Sequence, residues 1–132
     1  EQAYGRVTAV EMCLEPDDNV AFISSFLQKH DLDVHAIDAV LMGYNGDARY
    51  DSIYRKLGSS LFPGTLQLGF KQLMGEYDTV IAAALAIALR LLKEQRIPAA
   101  LQLNEVPPQE LKRILIYSQR RGKNHGVILV ER

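Results

Sequence analysis

Three stretches of the chain hold side chains able to do chemistry. Lys71 and Glu76 stand in "KQLMGEYDT" (71–79), directly ahead of the apolar run "VIAAALAIALRLL" (80–92). An ammonium and a carboxylate at that spacing can pair. As a solvent-exposed pair beside a helix N-terminus they would contribute under ~1 kcal/mol. Asn45 opens "NGDARYD" (45–51), where Asn-Gly is turn chemistry and Asp47 is placed to cap a helix. "QRRGKN" (119–124) carries Arg120, Arg121 and Lys123, which with Lys112 and Arg113 form the only basic concentration. A nucleic-acid surface would interleave aromatics with these cations, and only Tyr117 is near, so a solvated turn is the plainer reading.

The remaining reactive types read as structural. Cys13 is the single cysteine and sits in "AVEMCLEP", where a buried inert thiol is expected rather than a nucleophile. His30 and His35 flank "DLDV", with aspartates close by, but at no spacing that resembles a metal site. A solvated loop is expected there, and no metal. His125 follows Asn124 at the start of a strand and is expected to be a satisfied structural histidine.

These residues must be held by elements that the alternation and periodicity of the sequence outline. The chain has 132 residues, 48% hydrophobic and 23% charged, enough for one domain with a core. A formal net charge of -1 provides no global field for nucleic acid or a membrane surface. The longest uncharged apolar run, 80–89, falls short of the ~20 residues a spanning helix needs. The start, "EQAYGRV", lacks the basic and apolar regions of a signal peptide, and one cysteine suits a reducing compartment, so a cytoplasmic location is expected. The first residue is not methionine, so the chain is expected to be a piece or processed product of a longer protein.

Residues 4–14 alternate and predict a strand. Residues 15–32 predict a helix, with Pro16 or Asp17 in its first turn and Val20, Ile23, Phe26 and Leu27 on its inner face. Residues 36–44 predict a buried strand, and about 48–58 a helix with Ile53, Tyr54 and Leu57 inward and Gly58 as its stop. A strand over 65–70 and a helix over 79–94, capped by Asp78 or Thr79, follow. Two last strands, 111–118 and 125–132, are joined by a short turn and are expected to be antiparallel. The order β-α-β-α-β-α-β-β predicts an α/β fold. Its mixed, mostly parallel five-stranded sheet carries helices on both faces.

The helix at 79–94 has no polar side before Arg90. A helix apolar all round must be covered all round. Ala82, Ala83, Ala84, Ala86 and Ala88 would admit a close neighbour. A second layer or a second chain is therefore expected to lie on it.

Four stretches together resemble the C-terminal half of a β-ketoacyl-acyl-carrier-protein synthase, of the thiolase-like fold. "IDAVLMGYNGDARYD" (37–51) is similar to the family segment V-D-x-x-x-x-H-G-T-x-T-x-x-x-D, with Asp38 and Asp51 on its two aspartates. "FKQLMGEYDTVIA" (70–82) resembles T-K-x-x-x-G-H-x-x-G-A-x-G, with Lys71 and Gly75 matched. "RIPAALQLN" (96–104) resembles the I-x-P-x-x-x-L segment. "SQRRGKNHGVILVER" (118–132) resembles the closing G-F-G-G-x-N-x-x-x-V stretch through Gly122 and Asn124.

The resemblance implies a central layer built from one helix of each half, which would cover 79–94. It implies a dimer or a second, synthase-like subunit, and an acyl carrier protein as partner, docked through basic residues. It implies fatty-acid or polyene/polyketide-type biosynthesis without a cofactor. It also places catalytic positions at Asn45, Lys71 and Glu76, and substrate-binding positions at Gly122 and Asn124. The family's two histidines are absent: the first falls on Gly43 or Asn45, the second on Glu76. A neutral imidazole can donate to a developing enolate oxygen, whereas an ionised Glu76 would repel it. Only a carboxyl kept neutral by burial could donate, so Glu76 reads as a loop-ordering partner of Lys71. The family's nucleophilic cysteine belongs to the other half, and Cys13 is not at its position. This chain alone is therefore expected to be inactive. It would be half of, or partner to, a condensing enzyme, a chain-length-factor type being the known non-condensing kind. The alternatives are a divergent active synthase and a non-enzymatic interaction domain.

Overall fold

The computed structural model of the protein describes residues 5–70, 80–107 and 109–132. The strands are β1 (Arg6–Leu14), β2 (Ala39–Met42), β3 (Leu66–Gly69), β4 (Arg113–Arg120) and β5 (Asn124–Glu131). The helices are α1 (Asn19–Lys29), α2 (Ala48–Leu61) and α3 (Val80–Glu94). The strands form one sheet in the order β1-β5-β4-β2-β3. β4, β2 and β3 are parallel, and β5 is antiparallel to both β4 and β1. Four strands thus point one way and β5 opposes them, which is the mixed, mostly parallel sheet expected.

Alternation along the strands sorts the core into two layers. β2 is buried on both faces, as a central parallel strand must be. Ala39, Leu41, Leu68, Ile114 and Ile116 pack with Ala84, Ala88 and Leu92 of α3. Val40, Met42, Leu115 and Tyr117 pack on the other side with Ile23 and Phe26 of α1 and Tyr54 and Leu57 of α2. Among the described residues, one helix therefore covers one face and two cover the other.

The two edges differ. β3 is bordered by the segment after α3: Leu103 N donates to Gln67 O at 2.8 Å, and Asn104 receives Gln67 N at 2.8 Å. On β1, Val10, Met12 and Leu14 are 59%, 73% and 71% exposed. Ala9, Glu11 and Cys13 alternate with them and face α1, where Lys29 pairs with Glu11. Val10, Met12 and Leu14 therefore lie on the α3 side of the sheet.

Several expectations are corrected. α1 begins only at Asn19, so Pro16 and Asp17 precede its first turn; its cap is Asp18, whose carboxylate receives Val20 N at 2.9 Å and Ala21 N at 3.4 Å. α2 does not stop at Gly58 but continues to Leu61. Gly58 instead permits close approach, because a Cβ there would lie 2.6 Å from Gln67 Oε1. Gln67 Nε2 donates to Gly58 O and Phe62 O, closing the end of α2. Gln67→Ala should therefore lower unfolding free energy by about 1 kcal/mol. A urea midpoint equal to that of the parent would show that water replaces these bonds. Cys13 is half-buried rather than buried, because β1 is an edge strand. The basic concentration is divided, with Arg113 and Arg120 at opposite ends of β4, roughly 23 Å apart at about 3.3 Å per residue.

Candidate functional site

A cleft of about 500 Å3 opens at the carboxyl ends of β2 and β4. That is where open α/β sheets place their ligands. Its first wall is the β2–α2 turn. Gly43 N still donates to Tyr117 O, after which the Tyr44 ring rests on Tyr54 at 5.0 Å between centroids. Burial raises the Tyr44 pKa above its ordinary value. Asn45 and Gly46 then turn their N–H groups onto the Asp51 carboxylate, at 3.1 and 2.9 Å. Gly46 has a φ of 90°, which suits glycine.

Asp51 is 6% exposed and lies in the first turn of α2, where the helix dipole favours a negative charge. Asn45 Oδ1 receives Asp47 N at 2.9 Å, and Asp47 caps α2 through Arg49 N at 3.1 Å. The Arg49 guanidinium grips Asp47 at 2.9 Å and lies over the Tyr50 ring at 5.3 Å. Its hydrogen bond holds the Asp47 carboxyl below the usual range.

The second wall is the β4–β5 turn, with Gln119, Arg120 and Arg121 facing Asn45 and Tyr50. Arg121 and Gly122 have φ of 53° and 70° in succession. Gln119 Oε1 receives Gly122 N at 2.6 Å, and Gly122 faces the Tyr50 ring. The walls offer amide, phenol and guanidinium groups and the Asp47 carboxylate, which Arg49 pairs, and they suit a polar group rather than an apolar tail.

The structure thus brings Asn45 and the Gly122 turn to one cleft. Asn124 is exposed at the start of β5, in register with Leu14 and Arg120, outside the cleft walls. Lys71 and Glu76 lie outside the described residues. So do Asp78 and Thr79, the expected caps of α3. His30 and His35 are exposed, as expected of a solvated loop, and among the described residues no cluster could hold a metal ion.

Two arrangements escaped the sequence reading. One is the Asp51 clamp. The other is a buried polar chain behind the second wall, in which Tyr117 Oη meets His125 Nδ1 at 2.5 Å and Tyr54 Oη receives Gln119 N at 2.9 Å. Strand alternation could have found it, since 117, 119 and 125 share one face of the hairpin.

The sheet order, the opposed β5 and, among the described residues, the one-against-two helix layers make a mixed α/β fold, similar to that of a solved ketosynthase. Among solved structures, the chain matches the noncanonical ketosynthase FabY from P. aeruginosa, with a TM-score of 0.61 and 17% identity over 97% of this chain. It spans 26% of that ketosynthase's chain, about a quarter of its length. No family model matches the sequence, and no characterised protein matches it in sequence. Among the described residues no helix is long and apolar enough to cross a membrane.

Proposed function

We propose that residues 1–132 form a single ketosynthase-like domain that corresponds to the C-terminal half of a β-ketoacyl-acyl-carrier-protein synthase. It serves a condensing assembly of fatty-acid or polyene/polyketide-type biosynthesis as half of the enzyme or as its non-condensing partner. The likeness of nearly the whole chain to a ketosynthase carries this reading. Asn45, Lys71 and Glu76 occupy degenerate catalytic positions in which neither family histidine remains. Gly122 and Asn124 occupy the binding positions, Gly122 on the cleft turn and Asn124 beyond it.

The outer side of α3 supports a missing second layer. Ala84, Ala88, Leu91 and Leu92 are buried, whereas Ala82, Ala86, Arg90 and Lys93 are exposed. Val10, Met12 and Leu14 are exposed on the same side of the sheet, so apolar side chains there stand open alongside the small residues Ala82 and Ala86. The other half, or a synthase-like subunit, covers this side. That the structural neighbour is itself called a ketosynthase favours a second reading, in which the parent protein condenses and the nucleophile lies on the part not present here.

The acyl carrier protein is the partner of the cleft, met by Arg120 and Arg121. Acyl-loaded carrier protein is expected to bind the native product that contains this chain, more weakly as salt rises. Arg121→Glu should reduce the affinity several-fold. Equal binding of an unrelated acidic protein of the same charge would contradict the assignment.

A further inference from the structure

The two edges of the sheet are finished differently. β3 is closed: Leu103 N donates to Gln67 O, Asn104 Oδ1 receives Gln67 N, and Gln102 bridges Leu68. β1 is open. The direction of its backbone groups follows from its pairing with β5. Glu15 N donates to Lys123 O at 2.6 Å, one step beyond the pair of Leu14 with Asn124. Bonded and unbonded pairs alternate in an antiparallel ladder, so Ala9, Glu11 and Cys13 turn their N–H and C=O groups to β5. Val10, Met12 and Leu14 turn theirs away from it, and among the described residues no strand lies beyond them. The same three residues carry the exposed apolar side chains of this stretch.

We infer that this edge pairs with β1 of a second copy of the chain, antiparallel and two-fold about Met12, so that two five-stranded sheets join into one. Val10 of each copy then faces Leu14 of the other, and the two Met12 side chains face each other. Three bonded pairs supply about six backbone hydrogen bonds. Neighbouring registers are poorer. A two-fold centred on Glu11 sets two carboxylates directly opposite, which is destabilising. One centred on Val10 sets Met12 against the bulge between Val7 and Ala9, and one centred on Cys13 sets Val10 against Pro16, past the end of the strand.

The occupant is argued from what the edge offers. Lys29 pairs with Glu11 at 2.6 Å and Lys56 with Asp18 at 3.6 Å, so the acids beside the edge find cations within their own copy. An edge of alternate apolar residues with its charges paired fits another of the same kind. The bulge limits the segment on one side and Glu15, at a φ of 48°, on the other. Between them stands no proline, lysine or further bulge, the usual guards of an edge strand. Because β3 is covered, the pairing uses the one open edge of each copy and closes at two. It joins the sheets in their own plane and leaves the α3 side to the covering layer proposed above. The pairing rests on strand geometry and is independent of the ketosynthase reading.

Sedimentation of the full chain from micromolar to millimolar concentration, with amide exchange followed by NMR over the same range, tests it. A monomer–dimer equilibrium is expected. The amides of Val10, Met12 and Leu14 should gain protection as the dimer forms, whereas those of Ala9, Glu11 and Cys13 are protected throughout. Met12→Lys sets two ammonium groups opposite each other, about 5.5 Å apart at Cα, and should weaken pairing about tenfold or more. Its urea midpoint at dilute concentration should match the parent, since Met12 is exposed. Leu103→Lys, at an exposed leucine beside the covered edge, should leave pairing unchanged. A chain that stays monomeric at millimolar concentration would overturn the inference, as would growth beyond two copies. So would equal weakening by Leu103→Lys, or a dimer whose Val10, Met12 and Leu14 amides exchange freely; that last result would place the contact on α3 and leave the covering layer standing.

Discussion

Asp51→Ala should lower the unfolding free energy by about 3 kcal/mol and release the turn that carries Asn45. The Asp51 carboxylate receives Asn45 N on one oxygen and Gly46 N on the other, and it is almost fully buried. Each bond has an ionised acceptor, and such bonds contribute about 1.5–3 kcal/mol. Alanine leaves two N–H groups without this acceptor. Water can reach them only in part, which is why the expected loss is near the lower end of the sum. Asp51→Asn keeps one acceptor but turns an NH2 group toward a donor, so it should recover less than half of the loss. Urea unfolding measures both, as lower midpoints at unchanged slope. A loss under about 1 kcal/mol for alanine would mean that the turn holds itself, through the Asn45 Oδ1 contact to Asp47 N.

Ala82→Glu with Ala86→Glu should do the reverse, leaving the stability of 1–132 within about 0.5 kcal/mol of the parent while abolishing its assembly. Both alanines are exposed on the outer side of α3, so the substitutions displace nothing in the described core. Glutamate is also a good helix former. In an assembly the same positions would be pressed against another element, and two buried, unpaired carboxylates there cost several kcal/mol. A loss of association of at least a hundredfold is expected, read by sedimentation of the native complex against the variant. Unchanged assembly would show that the partner avoids α3 and that its apolar side needs another explanation.

The elements were legible because they follow local periodicity. Alternation in β1 and β3, the stripe of α1 and the Asn-Gly turn before α2 are all short-range signals. The opposition of β5 was legible too, since a short turn allows nothing else. The place of β1 at the edge beside β5 was not, because that pairing joins the two ends of the chain and leaves no local mark. The burial of Cys13 was misjudged for that reason, its apolar neighbours lying on an edge rather than in a core. Gly58 looked like a helix stop because glycine often is one. Its reason is the approach of Gln67, nine positions on and invisible locally. The basic residues stood close in sequence, yet an extended strand carries them to opposite ends of the sheet. At the site, Asn45 and Gly122 declared themselves as turn residues. Asp51, Tyr117 and His125 did not, because their partners are set by the pairing of distant segments.

The most direct test of a ketosynthase half that works with another half is to feed a labelled acyl thioester to the native product containing this chain. The labelled residue and the intact mass of its polypeptide are then determined. The label should settle on a cysteine outside 1–132, either on a longer chain that includes these residues or on a subunit that co-purifies with them. An assembly that never takes the label, or one labelled at Cys13, would contradict the proposal.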